Sequence, residues 1–362
     1  MAGITRRSTI KAAGKVAGIA AAGLAAPFVW TGARAFGADQ ITSADVGGAP
    51  GAAIRKAFYD PFEKATGIKV VGVVHESDPI TQFKLLVDTQ SFIWDVCMVT
   101  QAHVAYLSKP KDYLAPLNIP LDAVPTMVPG TLTPVWSGFS VFATIMAYRS
   151  DKFPNDGPNN WADFWNVQKF PGKRGMRKGA HYNLEFALMA DGVAPKDVYK
   201  VLATKAGQDR AFKKLDELKP NIQWWEAGAQ PPQFLVAGDV VMSTAYNGRI
   251  DAAQKEGKNL KVVWNGSIYD LDYWVIPKGS PNKALAEQYI AYSVSSKPQQ
   301  EYARHIAYGP VNDAAIKSLD AATLANLPNS PANGKNAVQE DMGFWTDHGD
   351  ELEQRFNSWA AK

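Results

Sequence analysis

Two short stretches hold the residues best suited to recognition chemistry. One is Ala245-Tyr246-Asn247-Gly248-Arg249, the other Tyr269-Asp270-Leu271-Asp272-Tyr273-Trp274. Each lies at the end of an apolar run that reads as a buried strand, and each sets its charge among aromatic rings. A guanidinium is a planar fork that matches a carboxylate with two parallel hydrogen bonds. A carboxylate accepts from an ammonium group. Together they suit the two ends of a zwitterion. Asp270 and Asp272 share one face if the strand has already begun at residue 270. Plainer roles compete: Arg249 could pair with Asp251 or Asp239, and Asp272 could be a solvated turn acid.

Other chemistries find little support. The histidines, at 75, 103, 181, 305 and 348, are scattered and sit in no recognised catalytic motif. A hydrolase needs nucleophile, base and orienter within reach of one another, so no catalytic residue is expected. There is no His-x3-His pair, and Asp270 with Asp272 would need more oxygen ligands to hold a hard cation. No metal and no cofactor are expected. The single cysteine, Cys97, lies in the apolar run Asp95-Val96-Cys97-Met98-Val99 and reads as a core thiol.

The chain begins Thr5-Arg6-Arg7-Ser8-Thr9-Ile10-Lys11, continues through a small-residue apolar stretch to Trp30, and reaches Ala33-Arg34-Ala35 and Phe36-Gly37-Ala38. A charged start, a short apolar core and a small-x-small end describe an export signal, and the twin arginines mark it as Tat-type. Residues 1–35 are therefore expected to be removed, with cleavage after Ala35 or Ala38. The whole chain has 38 Lys+Arg against 35 Asp+Glu. The signal holds five of the bases and no acid, which leaves 33 against 35, a net of −2. The apparent basicity belongs to the signal, and no nucleic-acid partner is expected.

Strand-like apolar runs alternate with helix-like segments, which predicts an α/β protein with largely parallel sheets. Strands are expected at 68–74, 94–99, 138–148, 239–245, 261–264 and 273–277. The run 138–148 is apolar on both faces, as a central strand would be. Helices are expected near 54–65, 82–89, 161–166, 183–190, 211–218 and from 282 onward. Crossovers near Tyr148 and at 273–277 would join two lobes around a hinged cleft. Thr100 and Gln101 follow the 94–99 strand. Ligands of open α/β sheets lie beyond the carboxyl ends of strands, so both are candidate hydrogen-bonding residues. Val46-Gly47-Gly48-Ala49-Pro50 could present backbone N–H groups at a helix start.

Five segments, in order, resemble extracellular solute-binding proteins of ABC importers: Phe62–Val70, Val236–Arg249, Asp272–Lys283, Tyr308–Asn312 and Arg355–Trp359. The likeness is nearest to the polyamine receptors. It implies a type II periplasmic binding protein fold in which two α/β lobes close on a small-molecule ligand. The expected division is lobe I at 38–148 and 273–305, and lobe II at 149–272 and 306–362. The resemblance also implies a periplasmic monomer that serves an ABC permease in the inner membrane and is not an enzyme.

By the same resemblance Asp272, five residues before Pro277, falls on a ligand acid, and Tyr246, Tyr308 and Trp345 fall on pocket aromatics. Asp270 falls where the polyamine pattern carries an aromatic, so its role stays open. Two departures matter. No acid stands at Lys178–Tyr182, where a second acidic cluster belongs, and Arg249 replaces a small residue. A guanidinium would repel a polycation, the more so in a partly dry cleft. With Arg249 taking a carboxylate and Asp272 an amine, the expected ligand is an ω-amino acid such as γ-aminobutyrate (GABA), in a branch resembling GABA receptors. A spermidine or putrescine receptor, with its second acid supplied from elsewhere, is the alternative.

Overall fold

The computed structural model describes residues 39–75, 78–109, 111–119, 127 and 131–362. The expected export signal lies outside them. Among the described residues, nine strands form one continuous sheet: β1 (Gln40–Asp45), β2 (Lys69–Val74), β3 (Val96–Thr100), β4 (Ser137–Arg149), β5 (Arg174–Arg177), β6 (Ile222–Trp225), β7 (Met242–Tyr246), β8 (Leu260–Val275) and β9 (Val338–Gln339). Their order is β2-β1-β3-β8-β4-β7-β5-β6, with β9 added to β8. The outer trios, β2-β1-β3 and β7-β5-β6, are parallel as the alternating pattern implies, but the centre is antiparallel. There β4 and β8 run side by side along almost their whole lengths and carry the chain between the halves.

The strands expected at 261–264 and 273–277 belong, as far as Val275, to the single strand β8. The structure keeps one strand and absorbs the interruption as a shift in register, with Thr144 facing Ile268 while Met146 faces Val263. Gly266 makes this possible with φ +72°. A β-carbon there would sit 2.8 Å from Trp161 Nε1, which donates to the Gly266 carbonyl. β4 is buried from Ser137 to Tyr148, as expected of a strand covered on both faces.

Each half is covered by helices on both sides of the sheet. One half packs Phe58, Phe62, Phe139, Trp274, Tyr289 and Tyr302 on one face and Phe83, Leu86, Trp94, Leu107 and Tyr273 on the other. The second half packs Trp161, Phe186, Phe212, Trp345 and Phe356 on one face and Ile145, Leu235, Ala245 and Ile250 on the other. Two lobes therefore hang on one pair of long strands. Tyr308 and Val311 pack within the first lobe's clusters, while the last helix, Met342–Ala360, packs on the second. Among the described residues, no helix is long and apolar enough to cross a membrane.

Arg174 opens β5 fully buried, donating to the carbonyls of Phe164 (2.7 Å), Phe170 (2.7 Å), Gly172 (2.5 Å) and Asn166 (3.3 Å). A stranded buried acceptor costs roughly 1–3 kcal/mol. Arg174→Met is expected to lower the unfolding free energy in urea by at least about 3 kcal/mol, with ligand affinity of the folded fraction unchanged. A loss below about 1 kcal/mol would mean that water replaces the arginine.

Candidate ligand-binding site

The carboxyl ends of β1, β3, β5 and β7 converge on the middle of β8. Asp272 faces Thr100 of β3 on one side and Ser140 of β4 on the other. Alternation along β8 places Asp270 on the same face. Asp272 is buried, and its Oδ2 accepts from Ser140 Oγ at 2.6 Å. Burial raises its pKa to about 8, with the Asp270 charge adding to the rise and the Ser140 hydrogen bond opposing it. Thr100 caps the helix Gln101–Ser108, and its N–H donates to His103 Nδ1 at 3.2 Å. Gln101 Oε1 is buried with no hydrogen-bond partner.

On the opposite side, β7 ends at Tyr246 and the helix Asn247–Lys255 starts at once. Asn247 secures that start: its Oδ1 accepts from Ala143 N–H at 2.9 Å, and its Nδ2 donates to the Ala307 carbonyl at 2.5 Å. Gly248 then lies flat under Tyr308, where a β-carbon would be 2.4 Å from ring carbon Cε1. Arg249 follows, half-buried, with no ion pair among the described residues and with Nε buried and unpartnered. Asp251 pairs instead with Lys255 at 2.8 Å. Tyr246 stands edge-on between Phe142 and Trp225. Tyr308 is pinned beside β4 by the reciprocal backbone pair of Gly309 and Val141. Burial pushes its hydroxyl pKa up, Arg249 pulls it down and Asp272 raises it further. That hydroxyl thus stands in the fields of both charged groups. The structure brings together Thr100, Gln101, Tyr246, Arg249, Asp272 and Tyr308.

A second polar group adjoins this one, and much of it escapes a sequence reading. β9 pairs with β8 at Ile268 and Tyr269, and the Glu340 N–H donates to the Tyr269 carbonyl at 3.0 Å. This brings Glu340, buried, to Tyr182 Oη (3.1 Å) and His181 Nε2 (2.5 Å). Acids from the C-terminal segment thus reach Lys178–Tyr182, where the sequence has none. Glu353 Oε1 likewise accepts from the Ala180 and His181 N–H groups. Asp270 joins Glu340: Oδ1 accepts from Leu271 N–H at 2.6 Å, while Oδ2 is buried without a partner. Burial first, then the Glu340 charge, raises the Asp270 pKa well above the carboxylate range. Glu340 is raised only to about 6, because Asp270 and Tyr182 stabilise its ionised form. His181 is kept neutral by burial, its pKa lowered to about 4.

Trp345 lies one layer behind. Its ring packs on His181 at 4.4 Å between centroids, and its indole N–H donates to Glu185 Oε1 at 2.8 Å. The one local mark of this second group is Tyr182, a non-glycine residue at φ +68°. Glu340 has none, because only the pairing of β9 brings it in. Among the described residues, no cluster of His, Cys, Asp and Glu is placed to hold a metal ion.

Two lobes on paired strands, with buried acids and a half-buried arginine where they meet, suit a solute-binding protein. Residues 57–332 match the model of the bacterial extracellular solute-binding proteins, and the chain belongs to that family. It is 49% identical over 325 residues to the gamma-aminobutyric acid-binding protein of Pseudomonas aeruginosa, covering 89% of this chain and 91% of that one. It is 23% identical over 296 residues to spermidine/putrescine-binding periplasmic protein 1 of Haemophilus influenzae, covering 78% and 80%. A solved GABA receptor superposes with TM-score 0.76 at 30% identity, over 90% of this chain and 98% of its own length. The chain is a binding protein, not an enzyme.

The raised pKa of Asp272 gives a signed expectation. The folded state keeps a proton that the unfolded chain sheds near 3.8. Its contribution to stability is complete below that value and is lost as pH rises towards about 8. Urea midpoints of the ligand-free protein are expected to fall between pH 5 and 8, and to fall less in Asp272→Asn. Equal slopes in the two proteins would show that Asp272 titrates normally.

Proposed function

We propose that the protein is the periplasmic receptor of an ABC importer and binds a small ω-amino acid, GABA being the reference ligand. Arg249 carries the reading. Its guanidinium lies among Tyr246, Tyr308 and Gly48 and has no acidic partner among the described residues, so its natural counter-ion is a ligand carboxylate. Asp272, with Ser140 behind it, takes the ammonium end. Tyr246 and Tyr308 wall the methylene chain, and Thr100 and Gln101 offer further polar contacts. The 49% identity to a protein named for GABA binding supports the same assignment. Each charge-assisted bond contributes roughly 1.5–3 kcal/mol. Three or four, with aromatic burial, reach about −8 kcal/mol, a micromolar dissociation constant.

The polyamine reading gains one observation, since Asp270 and Glu340 add acids beside Asp272. It loses on charge. Burial disfavours the ionised form of both added acids, and the Arg249 guanidinium stands beside Tyr308 and Gly48.

We assign lobe I to residues 38–148 and 273–305 and lobe II to 149–272, with the C-terminal helix. The packing of Tyr308 and Val311 argues for counting the 306–311 segment with lobe I. Export with loss of the leader, monomeric behaviour and docking on an inner-membrane permease complete the proposal.

Calorimetric titration of the mature protein tests it. GABA is expected to bind, and Arg249→Ala or Asp272→Ala to weaken it by about 100-fold, because each strands the ligand's other charge in a dry site. Putrescine binding that survives Arg249→Ala, with none of GABA, would establish the polyamine receptor instead.

A further inference from the structure

Arg249 is held by two glycines from different parts of the fold. Gly48 lies in the turn after β1, with φ +61°, and a β-carbon there would be 2.8 Å from Arg249 Nη1. Gly228, in the loop between β6 and the helix Gln230–Ala237, would place a β-carbon 2.8 Å from Tyr246 Cδ2 and 3.0 Å from Arg249 Nε. Real β-carbons essentially never approach another heavy atom closer than 3.0 Å. Any side chain at position 48 must therefore displace the guanidinium, and one at 228 must displace the Tyr246 ring while crowding Arg249 Nε. The turn carrying Gly48 is itself fixed. Asp45 Oδ1 accepts from Gly47 N–H at 2.7 Å, and Asp45 Oδ2 accepts from Tyr59 Oη at 2.8 Å.

We infer that Gly48 and Gly228 are specificity-determining residues, forming a slot that fixes the Arg249 fork for a carboxylate. The inference rests on Arg249 being the carboxylate contact. A free arginine side chain samples many rotamers, and holding it in advance removes that entropy loss from binding. Gly48 belongs to the β2-β1-β3 half, whereas Gly228 and Arg249 belong to the β7-β5-β6 half. The slot is complete only when the halves meet at the Gly48 turn. Orientation of the arginine and approach of the lobes are then one event.

The test is a double-mutant cycle on the mature protein, read as GABA affinity by calorimetry, with the melting temperature of ligand-free protein measured alongside. Gly228→Ala is the cleaner variant, because Gly48→Ala also strains a left-handed backbone. Each is expected to weaken GABA binding by about tenfold or more, the loss of one aligned charge-assisted bond. Gly228→Ala should lower the melting temperature only modestly, the cost of crowding the Tyr246 ring. In an Arg249→Lys background, which keeps the charge but not the fork, Gly228→Ala should add no more than about twofold. Wild-type affinity in both glycine variants, with Arg249→Ala still inactive, overturns the slot alone. Additive losses in the cycle overturn it too. GABA binding retained by Arg249→Ala overturns the slot together with the reading beneath it.

Discussion

The pairing of β4 with β8 is the constraint on which the rest depends. Among the described residues, these two strands are the longest members of the sheet, and they run through both lobes. They present Ser140, Phe142, Asp270 and Asp272 between the lobes, on one hydrogen-bonded backbone. Backbone ladders are stiff and fully paired, so these side chains keep fixed spacing while the helices around them differ between halves. Strands from both sides point their carboxyl ends at this segment, and the site is assembled there.

Electrostatics gives that segment its character. Taking carboxylates out of water is costly unless each is paired or protonated. Here burial favours the protonated form of both Asp270, beside Glu340, and Asp272, which has a single serine hydroxyl as partner. A protein selected for stability alone would place apolar residues at such positions. On the proposed function, buried acids beside a guanidinium with no ion pair among the described residues are groups whose partners arrive with the solute. Glu185 illustrates the contrast. It is also buried, but Tyr199 and Trp345 satisfy one of its oxygens and fix it as part of the second lobe's frame.

Small residues matter as much as charged ones. Gly48, Gly228 and Gly248 each let a ring or a guanidinium lie against bare backbone, and in each case a β-carbon would collide. Close approach of this kind is how a long, flexible arginine acquires one position.

Some of this was legible in the amino-acid order. Alternating apolar runs and helical segments specify an α/β chain, because burial patterns are local and periodic. Tyr246, Arg249 and Asp272 stand out because a charge at the end of an apolar strand is locally anomalous, and the structure gathers them with Tyr308. The continuity of β8 was hidden, since Asn265-Gly266 interrupts its apolar pattern and pairing with β4 carries the strand across the register shift. Glu340 was hidden for a stronger reason. It reaches His181 and Asp270 through a two-residue strand paired 70 positions away, and no local pattern encodes that approach. The chain thus states by itself which groups are out of place in a core. Which of them face one another depends on long-range pairing, and that is decided only when the strands align.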